Sequence, residues 1–131
     1  ISIIGCAGDK DREKRPKMAE FAYEQSDFLI ITADNPRTED PQQIIDDMLN
    51  GLTPNAPKVK VIWDRKAAIE FACTLANEGD IILLTGKGHE NYQDVMEVKH
   101  PWNDKETLKE MMELSYMQRP NVSKVTQSLG I

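Results

Sequence analysis

The sequence predicts an α/β fold, a mainly parallel sheet flanked by helices, on three observations. Residues 1–4, 28–32 and 81–85 are continuous apolar runs rich in β-branched or leucine side chains, as in strands covered on both faces. Between them lie stretches with apolar residues at helical spacing, and each run ends in a loop rich in glycine, proline or charge. Such strands pair in parallel through right-handed crossovers, which bring the loops after residues 4, 32 and 84 to one edge of the sheet.

Ile1-Ser2-Ile3-Ile4 forms the first strand, closed by the Gly5-Cys6-Ala7-Gly8 turn. A helix follows from about Pro16, a residue suited to a first helical turn, to about Gln25, with Met18, Ala19, Phe21 and Ala22 at helical spacing. Phe28-Leu29-Ile30-Ile31-Thr32 is a second buried strand, stopped by Asp34-Asn35-Pro36. The next helix spans 41–50: Pro41 starts it, Ile44, Ile45, Met48 and Leu49 share a face, and Gly51 stands just past its end. After a loop over 53–58, residues 60–63 give a weak strand and 65–77 a helix whose apolar face is Ala68, Phe71, Ala72 and Leu75. Gly79-Asp80 turns the chain into 81–85, read as a third buried strand. A last helix covers 105–117, so that residues 1–117 form the domain and 118–131 a polar tail with no assigned role.

With 131 residues, 40% apolar and 29% charged, the chain fits one small domain with a modest core rather than a multidomain machine. No apolar run approaches the roughly 20 residues needed to span a bilayer, and no basic start precedes a long apolar stretch, so a cytosolic protein without a membrane partner is expected. Sixteen basic residues against twenty-two acidic ones, net −6, argue against nucleic-acid binding. Cys6, Cys73, His89 and His100 make neither a disulfide scaffold nor a metal-ligand cluster. The basic residues Lys10, Arg12, Lys14 and Arg15 are nevertheless crowded together, which reads either as a local anion site or as the solvated start of a helix.

The three loops at the common edge carry the chemistry. Gly5-Cys6-Ala7-Gly8-Asp9-Lys10 turns tightly and then offers charges of both signs, but it matches neither a dinucleotide fingerprint nor a P-loop, and an ordinary strand-to-helix turn is the competing reading. Asp34-Asn35-Pro36-Arg37 sets an arginine on a rigid turn just ahead of a helix, suited to bidentate recognition of a carboxylate or phosphate unless Glu39 or Asp40 neutralises it. Gly86-Lys87-Gly88-His89-Glu90 again mixes signs, and Glu90 would repel phosphate but pair with an ammonium, unless the loop is plain turn chemistry. Lys10, Arg37, Lys87 and His89 can serve carboxylates, while Asp9, Asp34 and Glu90 can serve ammonium groups, so a zwitterion such as an amino acid is the economical ligand. No activated nucleophile is present at these tips.

At the same loops the sequence resembles the C-terminal domain of the Mur ligases. The resemblance runs to about Leu108 and rests on Gly5-Cys6-Ala7-Gly8-Asp9 with Lys14-Arg15-Pro16, on Asp34-Asn35-Pro36-Arg37-Thr38-Glu39-Asp40-Pro41, on Asp64-Arg65 with Ala67-Ala68-Ile69, and on Gly86-Lys87-Gly88-His89-Glu90-Asn91-Tyr92-Gln93. It implies a Rossmann-like domain, lacking a first strand and helix found upstream in the family, and hence an open sheet edge that promotes self-association. It also implies cytoplasmic ligation of a diamino acid to UDP-N-acetylmuramoyl-L-alanyl-D-glutamate, with ATP and Mg2+ forming an acyl phosphate on the N-terminal and central domains that this chain does not contain. The Asp-Asn-Pro-Arg block implies meso-diaminopimelate, whose second carboxylate Arg37 can hold; L-lysine, or a non-enzymatic amino-acid-binding module on the same scaffold, are the alternatives.

The resemblance matches Asn35, Arg37, Gly86 and Glu90 to contacts with the diamino acid, and Lys10 stands where the family commonly has arginine, keeping the charge but losing the planar fork. Together with Asp34 from the loop chemistry, the expected binding set is Lys10, Asp34, Asn35, Arg37, Gly86 and Glu90. Gly8, Asp9, Pro36, Lys87, Gly88 and His89 form its supporting loops. No catalytic residue, metal ligand or bound cofactor is expected in this chain by itself.

Overall fold

Four parallel strands, β1 (Ser2–Ile4), β2 (Leu29–Ile31), β3 (Val59–Val61) and β4 (Leu83–Leu84), pair in the order β3-β2-β1-β4. The computed structural model that shows this describes residues 1–87 and 89–119; Gly88 and the predicted tail from 120 lie outside the described residues. Register follows the apolar runs, with Ile3 opposite Ile30 and Ile4 opposite Ile31. Because side chains alternate across a strand, consecutive isoleucines face opposite layers. Ile4, Leu29 and Ile31 meet Ala19 of α1 (Lys14–Gln25) and Ile44, Ile45 and Met48 of α2 (Pro41–Leu49). Ile3 and Ile30 meet Ala68, Ile69 and Ala72 of α3 (Arg65–Leu75) and Met111 of α4 (Asp104–Met117). Each fully buried isoleucine or leucine contributes roughly 1.5–3 kcal/mol to holding the three layers together.

Asp40, Asp64 and Asn103 cap α2, α3 and α4, accepting from the backbone N–H groups of Gln42, Ala67 and Glu106 at 3.0 Å each. Gly51 has a different reason from the left-handed helix end that its position suggests: a β-carbon there would lie 1.9 Å from the Pro16 carbonyl oxygen, so glycine permits α1 and α2 to approach.

Three sequence expectations change. The run 81–85 is a two-residue edge strand rather than a buried one: β4 pairs only with β1 among the described residues, leaving Ile81 77% and Leu83 55% exposed. On α1, Phe21 is 67% exposed and Met18 is 45% exposed, and the buried positions are Arg15 and Ala19. On α3, Leu75 is partly exposed while Ile69 and Cys73 turn inward.

A fourth feature was absent from the sequence reading altogether. Strands β5 (Tyr92–Val95) and β6 (Val98–Pro101) form an antiparallel hairpin whose turn residues Met96 and Glu97 both have positive φ, 51° and 63°. Two positive φ values at the turn are the mark of the tight hairpin that normally selects Asn-Gly. Met-Glu carries no such signal.

Buried ion pairs join the helices to the loops. Arg15, 1% exposed, donates from Nη1 to Glu39 (2.8 Å) and Asp47 (2.9 Å) and from Nη2 to Glu39 and to the Ala7 carbonyl. Arg12 adds a forked contact to Asp47 at 2.9 and 3.0 Å. The hydrogen bond from Arg12 holds the Asp47 carboxyl well below the usual carboxylate range, and that from Arg15 lowers Glu39. These carboxyls titrate lower in the folded chain than in the unfolded one, so acidification favours the unfolded state. Stability is therefore expected to be level near neutrality and to fall as pH drops below about 4. Urea unfolding at stepped pH measures it, and a midpoint unchanged from pH 7 to 3 would contradict it.

Candidate functional site

The loops after β1, β2 and β4 converge, as parallel topology requires, and the hairpin closes over them. Gly8 donates its N–H to the Asn35 carbonyl at 2.7 Å, and a β-carbon on Gly8 would lie 1.8 Å from the Pro36 carbonyl oxygen. The first two loops are thus held backbone to backbone. Asp9 reinforces them: its carboxylate accepts from the Thr38 hydroxyl at 2.8 Å and its N–H donates to Glu39 at 2.8 Å.

Arg37 occupies the left-handed region, φ 53°, a conformation that costs a non-glycine residue about 1 kcal/mol or more. The hairpin keeps it there, through Arg37 N–H to the Asp94 carbonyl (3.0 Å) and Met96 N–H to the Arg37 carbonyl (2.7 Å). Its Nη1 donates to the Gly8 carbonyl at 3.0 Å. Among the described residues no carboxylate pairs with it: Glu39 is engaged by Arg15, and Asp40 caps α2. A half-buried guanidinium is left with most of its five donors open on one edge of the sheet.

Opposite in sign is the group around Asn35. Its Oδ1 accepts from Lys87 Nζ (2.6 Å) and from the Asp94 N–H (2.8 Å), while its Nδ2 donates to Glu90 Oε2 (3.0 Å). Lys87 also reaches Asp34 Oδ1 at 2.9 Å and the Tyr92 carbonyl at 3.0 Å. Asp34, Lys87 and Glu90 sum to one formal negative charge, and the Glu90 side chain is about one-third exposed. An arginine without a carboxylate partner among the described residues and a net acidic cluster together form a charge pattern complementary to a zwitterion.

The family comparison agrees with these loops. The description "Mur ligase, glutamate ligase domain" matches residues 1–88. The chain belongs to the Mur ligase family. This Mur ligase domain is 55% identical over 116 residues to the UDP-N-acetylmuramoyl-L-alanyl-D-glutamate--2,6-diaminopimelate ligase of Bacteroides fragilis, covering 88% of this chain and 24% of that protein. It is 46% identical over 112 residues to the protein of the same name in Clostridioides difficile, covering 86% of this chain and 23% of the relative. A solved structure of a ligase with that name superposes with a TM-score of 0.82 at 42% identity, over 86% of this chain and 23% of the other. The Mur ligase domain thus spans about a quarter of the length of the curated relatives it matches.

Within this Mur ligase domain the sequence-selected residues divide by environment. Asn35, Arg37 and Glu90 are brought together through the hairpin and the hydrogen bonds above. Gly86 has φ 112°, and a β-carbon there would lie 3.1 Å from the Asp34 carboxylate and 3.8 Å from the Arg65 guanidinium. Lys10 and His89 are exposed, and Lys10 makes no ion pair among the described residues. Gly88 lies outside the described residues.

Two of the assignments change. Lys87 was expected to offer its charge to a carboxylate, but its side chain is fully buried and committed to protein acceptors. Asp34 was expected to receive an ammonium group, and it is buried against Lys87. The basic cluster also resolves differently, since Arg12 and Arg15 satisfy Asp47 and Glu39 rather than an external anion.

Sequence reasoning missed Gln93 and Asp94, which tie the hairpin to the Asp34 carbonyl and to Asn35 and Arg37. It also missed Arg65, whose buried guanidinium binds the Ala33 and Thr85 carbonyls at the ends of β2 and β4. A signal for Arg65 was present: a cation in the first turn of a helix opposes the helix dipole and must be held there by something else. Burial pushes the Cys6 thiol up to about 11 and also raises Cys73, which fits packing rather than nucleophilic chemistry. No group of three His, Cys, Asp or Glu among the described residues is placed to hold a metal, and no helix among them is long and apolar enough to cross a membrane.

Proposed function

We propose that this chain is the amino-acid-binding part of a longer ligase that adds meso-diaminopimelate to UDP-N-acetylmuramoyl-L-alanyl-D-glutamate, a cytoplasmic step in peptidoglycan synthesis. The observation that carries the reading is the pairing, on one sheet edge, of an Arg37 guanidinium with no carboxylate partner among the described residues and a partly exposed Glu90. Arg37 suits the second carboxylate that distinguishes diaminopimelate from lysine, through charge-assisted contacts worth roughly 1.5–3 kcal/mol. Glu90 suits an ammonium group at the other end of the same zwitterion. Both relatives named above carry diaminopimelate in their names, which supports the same substrate here.

ATP and Mg2+ would supply phosphoryl activation of the glutamyl carboxylate, and the reading assigns their binding to the remainder of the longer protein. The part played by this chain is to bind the diamino acid and orient its amine for attack. The experiment is ADP release by the full-length protein with ATP, Mg2+ and the UDP-linked dipeptide, comparing meso-diaminopimelate with L-lysine. Release that depends on diaminopimelate and is at least about 100-fold slower with lysine at equal concentration supports the assignment. Preference for lysine would move the substrate and point to Lys10, and no dependence on either would leave an amino-acid-binding module.

A further inference from the structure

We propose that Lys87 is a positioning residue that acts on both poles of the site without touching the ligand. An ammonium group has three N–H donors. Lys87 donates to Asn35 Oδ1 (2.6 Å) and to the Tyr92 carbonyl (3.0 Å), is ion-paired with Asp34 Oδ1 at 2.9 Å, and its side chain is 0% exposed. A side chain so enclosed has no face open to a bound molecule.

What those contacts fix is the orientation of one amide. With the Lys87 ammonium and the Asp94 N–H both donating to Asn35 Oδ1, the amide can present only its nitrogen to Glu90. Reversal would set oxygen against carboxylate and NH2 against two donors. Asn35 therefore grips Glu90 by Oε2, and Oε1 of this one-third-exposed side chain has no hydrogen-bond partner among the described residues. The same amide oxygen holds the N–H of Asp94, and the carbonyl of Asp94 holds the backbone of Arg37. One buried cation thus reaches the ammonium-binding carboxylate through a side chain and the carboxylate-binding arginine through a peptide.

This inference rests on the diamino-acid reading, and its test separates the two. In the full-length ligase Lys87→Met is expected to raise the KM for the diamino acid about 10–100-fold while kcat falls far less, because misplacement by about 1 Å costs this much. In a Glu90→Gln background the same substitution should cost less than in the wild type, since the share carried by Glu90 is already gone and only the share through Asp94 and Arg37 remains; fully additive losses would overturn the proposal. An unchanged KM in Lys87→Met, with wild-type turnover intact, would overturn it as well. Wild-type turnover that ignores diamino acids would overturn the substrate reading instead. Should Lys87→Met fail to fold, acetic anhydride labelling of the wild-type chain with mass-spectrometric readout decides: Lys87 should react at least about tenfold more slowly than Lys10 in the folded protein and equally in urea. Equal rates in the folded protein would sink the geometry.

Discussion

Arg37→Ala is expected to cost about 2–5 kcal/mol of transition-state binding with meso-diaminopimelate, roughly 30-fold to a few thousand-fold in kcat/KM, and much less with L-lysine. The size follows from how the side chain is held. Its backbone sits in the left-handed region between two hydrogen bonds to the hairpin, and the guanidinium rests on the Gly8 carbonyl at 3.0 Å. Little ordering entropy remains to be lost on binding, so most of the contact energy reaches the ligand. Steady-state assays of the full-length ligase with both amino acids read the difference. Equal losses would show that Arg37 supports the loop and does not read the second carboxylate.

The second large effect concerns stability. Asp104→Ala is expected to destabilise the chain by about 3–5 kcal/mol, because it strands the Arg65 guanidinium as a buried charge. In the native structure Arg65 forks onto Asp104 at 2.8 and 2.7 Å, and Trp102 Nε1 adds a third bond to the same carboxylate at 2.6 Å. Burial works against ionised Asp104, but the bonds from Arg65 and Trp102 outweigh it and hold the carboxyl below its ordinary range. Removing both charges in Arg65→Met with Asp104→Leu should cost less than removing Asp104 alone. Urea unfolding of the two variants checks this; a double variant as weak as the single one would mean that Arg65 stabilises chiefly through the Ala33 and Thr85 carbonyls.

Strand and helix order was legible because Ile3, Ile4, Ile30 and Ile31 are buried on both faces, a condition that a sequence records directly as an unbroken apolar run. Helix faces were less legible where charge entered the core. Periodicity turned α1 toward Met18 and Phe21, but the ion pairs of Arg15 with Glu39 and Asp47 govern its rotation, and their partners lie 24 and 32 residues away. At the site, Arg37 and Glu90 could be named from loop composition because open charges at strand ends are chemically conspicuous. Lys87 was misassigned for the same reason: only the fold shows that its charge is already satisfied. The hairpin escaped notice because Met96-Glu97 holds a turn that composition does not announce.

The strand order also sets the sequence in which these elements can pair. Strand β1 lies inside the sheet, and its outer neighbour β4 closes on it from far along the chain, with Ser2 opposite Leu83. Strands β1, β2 and β3 can pair in turn, each across about thirty residues or fewer, while the closure of β4 on β1 carries the largest entropic cost. Asn35 and Arg37 must wait for Lys87, Glu90 and Asp94 before their surroundings exist. Pairing of β1, β2 and β3 therefore builds most of a core before the loop edge is complete, and recovery of ligand binding during refolding is expected to report the docking of β4 and the hairpin rather than collapse.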